Sequence, residues 1–208
     1  MQTTDLTLTT ITVGPFQEHC YVLAHGDSNQ CIVIDPGDEA ERILAEVGGR
    51  QVTAVLLTHA HPDHIGAVIP VQRATGAPLQ MHPADAHMIG PLRPAHFLRD
   101  GDWLTLGGHV IRVVHTPGHT PGMISLILAD GRAIVGDTIF EGGPGRTWCP
   151  DDFTLTLTTL RERVLSWPDD TLCHPGHGPS FRLGDIRPRI ETFLAGPHAP
   201  EFHGDAAW

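Results

Sequence analysis

One segment limits this chain more than any other: THAHPDH, Thr58 to His64, which directly follows the apolar run Val52 to Leu57. Such a run suits a strand buried on both faces. The segment therefore sits where a central strand leaves its sheet. Residues two apart in an extended chain point to the same side, so His59 and His61 can grip one ion together. Pro62 bends the chain, and Asp63 and His64 can turn toward a second ion. A lone H-x-H is weak as a sign of metal; the full H-x-H-x-D-H is strong.

Three further pieces have the same build, a strand followed by a sharp turn that carries one ligand type. Val110 to Val114 runs into HTPGHTPG, which places His119 between proline–glycine pairs. Ala133 to Val135 runs into GDTIF, with Asp137 just beyond a glycine. Thr171 and Leu172 precede HPGHGP, with His177 between two glycines. Ligands from four strand ends converge on one edge of a sheet, the usual place for an α/β site. Neutral imidazole binds zinc, iron or manganese, and carboxylate adds harder oxygen ligation. A bridging carboxylate holds two ions about 3.5–4 Å apart with a shared water that they acidify. The chain has 15 histidines. His25, His82, His87, His96, His109, His198 and His203 have no motif around them and read as surface or loop residues. His115 and His174 lie near ligand turns but read the same way.

Composition closes off other classes. The chain has 208 residues, 40% of them hydrophobic, enough to bury a large core as one domain, 1–208. No apolar run of about 18 residues is present, so no membrane span is expected. The N-terminus lacks the basic start and apolar stretch of a signal peptide. These signs predict a cytoplasmic protein. The formal net charge of -11 argues against a nucleic-acid partner, which needs a basic surface. Cys20, Cys31, Cys149 and Cys173 form no C-x-x-C pair and are expected to be free, mostly buried thiols.

Patterning predicts strands at 6–13, 20–24, 31–34, 52–57, 79–81, 110–114, 123–128, 133–135 and 171–174. Helices are expected from an Asp38 cap to about Val47, closed by Gly48 and Gly49, and over 65–74, 152–165 and 185–194. The proline-rich stretch 83–102 reads as a loop or short helices over the site. The tail, 196–208, reads as loose. Strands and helices alternate without a linker, which gives a single-domain α/β fold with a core of about 8–194.

From about Leu8 to Leu194 the chain resembles the metallo-β-lactamase-like superfamily, and within it the glyoxalase II-like hydrolases. TVGPFQEHCYVL at 12–23, IDPGD at 34–38, LLTHAHPDHIG at 56–66, TPGHTPG at 116–122, VGDTIF at 135–140 and HPGHGP at 174–179 are similar to successive motifs of that family. The resemblance implies an αββα sandwich with metals at one edge of its two sheets. It implies that His59, His61 and His119 bind one divalent ion, that Asp63, His64 and His177 bind another, and that Asp137 bridges them. Zinc is the foremost choice, with iron or manganese compatible. The implied reaction is hydrolysis of a small-molecule thioester, such as a 2-hydroxyacyl-glutathione, by a bridging hydroxide that Asp63 orients. Arg146 either contacts substrate or ties down the loop 142–152.

The chain departs from the family in several places. Only residues 178–208 follow His177, so the helical glutathione-binding region of longer glyoxalase II enzymes is missing or much reduced. His19 stands where the family more often has Asn, and Trp148 and Cys149 are unusual in their loop. No cysteine stands in register at the second metal, which disfavours a β-lactamase; a lactonase is equally a lesser reading. The alternative is a persulfide dioxygenase of the same fold, which holds one iron through the equivalents of His59, His119 and Asp137. An RNA-processing member would conflict with the acidic balance.

Overall fold

The computed structural model describes residues 6–26 and 28–208. The first sheet runs in order β1 (Leu6–Val13), β2 (Glu18–His25), β3 (Gln30–Ile34), β4 (Gln51–Leu56), β5 (Leu79–Met81) and β6 (His96–Phe97). The second sheet is built from β7 (Trp103–Leu106), β8 (His109–His115), β9 (Ile124–Leu128), β10 (Arg132–Gly136), β13 (Leu172–Pro175) and β14 (Phe181–Arg182), in the order β14-β13-β10-β9-β8-β7. Between β10 and β13 come a small hairpin, β11 (Ile139–Phe140) and β12 (Gly143–Pro144), and a helix, α4 (Pro150–Glu162). The other helices are α1 (Ala40–Val47), α2 (Pro62–Ile65), α3 (Val68–Thr75) and α5 (Leu183–Ala195).

Strand alternation sorts the apolar side chains into layers. In β2 and β3, Tyr21, Leu23, Ile32 and Ile34 face the second sheet and meet Ile111, Val113, Leu126 and Ile134. Their neighbours Cys20, Val22, Cys31 and Val33 face outward onto Ile43 of α1 and Val68 and Val71 of α3. In β10, Ile134 points between the sheets, whereas Ala133 and Val135 pack on Leu160 of α4 and Ile186 and Ile190 of α5. The result is an αββα sandwich. Each fully buried Leu or Ile contributes about 1.5–3 kcal/mol relative to exposure. Among the described residues no helix is long and apolar enough to cross a membrane. All four cysteines are free, and Cys20, Cys31 and Cys173 are buried.

Four expectations need correction. Asp38 does not cap α1: the helix starts at Ala40 behind Glu39, which is left-handed (φ 49°), and Asp38 Oδ1 instead accepts the Glu39 N–H at 2.7 Å. The helix expected at 65–74 is two, α2 and α3, because the Ala67 N–H leaves the helical ladder to donate to Pro36 O. The 83–102 stretch does not cover the site. It begins with a single 3-10 turn, Pro83–Asp85, adds β6 to the sheet edge and supports the site from behind. The tail is not loose. Thr147 and Gly204 exchange backbone hydrogen bonds (3.1 and 2.9 Å), Trp208 N and Nε1 donate to Gly142 O and Glu141 O, and Phe202 packs 4.5 Å from Phe153. Its aromatic residues, sparse but well spaced, find the α4–α5 surface.

Candidate metal centre

The parallel pairs β3/β4 and β10/β13 send their C-terminal ends to one edge of the sandwich. Asp35 follows β3, the segment 58–64 follows β4, Asp137 follows β10 and His177 follows β13. His119 arrives on the turn between β8 and β9, and the Ile124 N–H donates to Thr58 O at 2.9 Å across the two sheets. Asp85 fixes that turn from outside: it accepts from Thr120 Oγ1 at 2.7 Å and from the Gly122 N–H at 2.6 Å.

All seven expected ligands meet here. His59, His61 and His119 form one group and Asp63, His64 and His177 another, with the donor atoms of each group within 4.8 Å of one another. Asp137 lies between them. Its Oδ2 is 3.4 Å from His119 Nε2 and 3.7 Å from His177 Nε2, and its Oδ1 is 3.6 Å from His64 Nε2. Gly136 makes this approach possible. Its φ is +49°, and a Cβ there would stand 2.5 Å from Thr58 Oγ1. At Gly176 a Cβ would run into Asp137 Oδ1 and His64 Cε1.

The imidazoles are oriented from outside. His119 Nδ1–H donates to Arg146 O at 2.8 Å, His177 Nδ1–H to Phe16 O at 3.0 Å, and His64 Nδ1–H to Asp35 Oδ2 at 3.1 Å. Thr58 Oγ1 lies 3.2 Å from His59 Nδ1 and itself donates to Asp35 Oδ2 at 2.5 Å. Each of these bonds occupies Nδ1 and leaves Nε2 to face the cluster, as in metal-binding histidines generally. His61 is turned the other way, with its Nδ1 3.1 Å from His59 Nε2. His19 Nδ1–H and Tyr21 O–H both donate to Pro175 O, securing the strand end that carries His177.

The electrostatics divide the histidines of the centre into two kinds. Burial first, and neighbouring histidines second, hold His59 well below its ordinary value and bring His61 down to about 4. Burial also lowers His119. These imidazoles are neutral, the form that binds metal. Burial would lower His64 too, but Asp137, Asp35 and Asp63 outweigh it and lift His64 to about 9. The hydrogen bond from His177 brings Asp63 down to about 2. Glu18 is buried behind Asp63 and His64, and burial first, then the charges of Asp35, Asp63 and Asp137, push it up to about 11. It is therefore a neutral acid at pH 7.

His64 Nε2, His119 Nε2 and Asp137 Oδ1 are buried without a hydrogen-bond partner. An unpartnered buried polar atom costs about 1–3 kcal/mol. Here several aim at one point, and all are nitrogen or carboxylate donors. That set fits divalent cations. Asp35, Glu18 and Asp85 pack against this cluster or its turns and were not singled out from the sequence. Asp35 carried a readable sign, an acidic residue closing an apolar strand just before Pro-Gly.

Residues 13–177 match the family model described as the Metallo-beta-lactamase superfamily. The chain belongs to this superfamily. Its members are generally metal-dependent hydrolases. It is 36% identical to the probable metallo-hydrolase YqgX of Bacillus subtilis over 80% of this chain and 88% of that one. It is 32% identical to the hydroxyacylglutathione hydrolase GloC of Haemophilus influenzae over 88% and 96%. Among solved structures it is similar to the BLEG-1 B3 metallo-beta-lactamase (TM-score 0.81, 31% identity, 91% of this chain and 100% of that one). It is also similar to TTHA1623 in a di-iron-bound form (0.74, 34%, 86% and 96%) and to ETHE1 from Myxococcus xanthus (0.77, 25%, 88% and 83%).

The sheet edge opens into a pocket of about 880 Å³. His61, Asp63, His119, Asp137 and His177 reach it, between walls that include Phe16, Phe140 and Trp148. Arg146 stands at the meeting of this pocket and the C-terminal tail. It lines the pocket and it ties the loop to the tail through Asp205, at 2.5 Å.

Proposed function

We propose that the protein is a two-metal thioester hydrolase of the glyoxalase II-like kind, cleaving a small 2-hydroxyacyl thioester. One observation carries this reading: seven donor residues converge in two groups with one carboxylate, Asp137, between them. Three of those residues suffice for a single ion; seven are the number for a pair. The likeness to GloC supports the substrate class.

In this reading His59, His61 and His119 would hold one divalent cation and Asp63, His64 and His177 the other, with Asp137 between the two groups available to both. Zinc is the proposed metal, and the likeness to a di-iron protein keeps iron compatible. Such cations acidify a water and polarise the thioester carbonyl. The chain's own residues do the rest. Asp63, ionised at neutral pH and about a quarter exposed, presents Oδ2 to accept a hydrogen bond from the attacking water. Asp35, Thr58, Phe16 and Arg146 hold the imidazoles in one tautomer through Nδ1. The thiolate leaves without a protein acid, because it is a stable anion near neutral pH.

A second reading, a mononuclear-iron persulfide dioxygenase, is favoured by the likeness to ETHE1 and needs only His59, His119 and Asp137. Elemental analysis and thioester hydrolysis, measured on one purified sample with S-lactoyl thioesters, test the proposal. Near two metals per chain with prompt hydrolysis supports it. About one iron per chain, no hydrolysis, and oxygen uptake with glutathione persulfide would replace it with the second reading. Nitrocefin cleavage in the same sample, without thioester cleavage, would move the assignment to the activity named for BLEG-1.

A further inference from the structure

The 13 basic side chains of this protein are all arginines. Among the described residues Arg146 alone of them lines the pocket. Its guanidinium is already engaged. Nη1 donates to Asp205 Oδ2 at 2.5 Å, and the guanidinium carbon stands 5.3 Å from the centre of the Trp148 ring. Asp205 is held beside it by the folded tail, through the Thr147–Gly204 backbone pair on one side and the Trp208 bonds to Gly142 and Glu141 on the other. Glu141 adds a second carboxylate to the same lining. An anionic group entering here meets two carboxylates and one arginine that is already paired.

The remaining wall is apolar. Phe16 from the β1–β2 turn is 71% exposed and Trp148 is 57% exposed, yet both line the pocket, where they meet Phe140, Pro62, Pro144 and Pro179. Large aromatic side chains left open on both sides of a reactive centre are surfaces waiting for apolar contact.

We propose that Asp205, by occupying Arg146 beside this aromatic wall, makes the pocket select thioesters of uncharged, apolar thiols over thioesters of anionic thiols such as glutathione. The inference rests on the thioesterase reading for its reaction, and on Arg146, Asp205, Phe16 and Trp148 for its specificity. The glutathione moiety carries two carboxylates and one ammonium, and among the described side chains lining this pocket none offers its carboxylates an unpaired arginine. A benzyl thiol brings only an aromatic face.

The test compares kcat/KM for S-lactoylglutathione and for the S-lactoyl thioester of benzyl mercaptan, on the metal-loaded protein. Wild type is expected to favour the benzyl thioester. Asp205→Asn frees Arg146 and is expected to raise the glutathione-to-benzyl ratio about 3- to 5-fold, the scale of one exchanged exposed ion pair. The same substitution in an Arg146→Gln background is expected to give no such rise, which separates a freed charge from a loosened tail. Wild type favouring glutathione, or a ratio unmoved by Asp205→Asn, overturns the inference while leaving the thioesterase reading intact. If neither thioester turns over, the thioesterase reading fails. Calorimetric binding of S-benzylglutathione against 2-(benzylthio)ethanol then decides the selectivity alone. Tighter binding of the uncharged thioether, with a gain for S-benzylglutathione in Asp205→Asn, upholds it; the reverse order overturns it.

Discussion

Asp35 Oδ2 accepts the Nδ1–H of His64 at 3.1 Å, and both side chains are almost fully buried. The same carboxylate takes the Thr58 N–H and the Thr58 hydroxyl, so it orients His64 directly and His59 through Thr58. Asp35→Ala strands three buried donors. We expect a loss of about 3–5 kcal/mol in stability, as for a broken buried pair, and metal affinity lowered about 10- to 100-fold, as for other outer partners of ligating histidines. Chemical denaturation of the metal-free protein reads the first and a zinc titration against a competing chelator reads the second. Unchanged affinity would remove Asp35 from the metal centre.

Among the described residues Asp137 is the one carboxylate whose two oxygens face histidines of both groups. Asp137→Ala is therefore expected to cost both metals rather than one. Activity should fall by at least about 100-fold, the scale of removing one preorganised electrostatic group from an active site. Metal content per chain after desalting is the readout. A variant that keeps two metals and full rate would contradict the bridging assignment.

Much of this centre was legible because its ligands sit in dense local motifs. His59, His61, Asp63 and His64 share seven residues after one apolar strand, and Gly or Pro marks the turns at His119, Asp137 and His177. The core strands were legible for a related reason: Tyr21, Leu23, Ile32 and Ile34 alternate with residues that are also apolar, which only a strand covered on both faces requires. What escaped depends on partners distant in sequence. Asp85 is an ordinary loop aspartate until Thr120 and Gly122 fold onto it. Asp205 lies in a tail of mixed composition and gains meaning only beside Arg146, 59 residues earlier. The short edge strands β6, β7 and β14 were missed because so few residues carry no period.

Gly136 combines a left-handed backbone with a close approach to Thr58. A side chain there meets both penalties at once. Gly136→Ala is expected to lower stability by about 1–3 kcal/mol. Because the displaced atom is Thr58 Oγ1, the His59 orientation should suffer as well. Thermal unfolding with and without zinc separates the two effects. A fall in the metal-dependent gain alone would mean that the backbone tolerates the change and only the ligand geometry does not.

The metal-free protein should be most stable near pH 6.5. His59, His61 and His119 have depressed values, so the unfolded chain binds protons that the folded chain refuses as pH falls below about 6.5, and stability drops toward pH 4, the value of His61. Asp63, lowered from 3.8 to about 2, extends the loss through that lower window. On the alkaline side the sign reverses. His64, lifted to about 9, contributes stability that is present below about 6.5 and lost as pH rises to 9. His177, also raised, slopes the same way, and Glu18, raised from 4.5 to about 11, loses its contribution over that whole range and so partly offsets the acid arm as well. Bound divalent cations take the place of the proton on His64, so zinc should flatten the alkaline arm while leaving the protein acid-sensitive, since protons compete for the same ligands. Calorimetric Tm values at pH 5, 6.5 and 9, with EDTA and with zinc, check both arms. A zinc-loaded protein that loses as much Tm between pH 6.5 and 9 as the EDTA-treated one would show that His64 does not meet the metal.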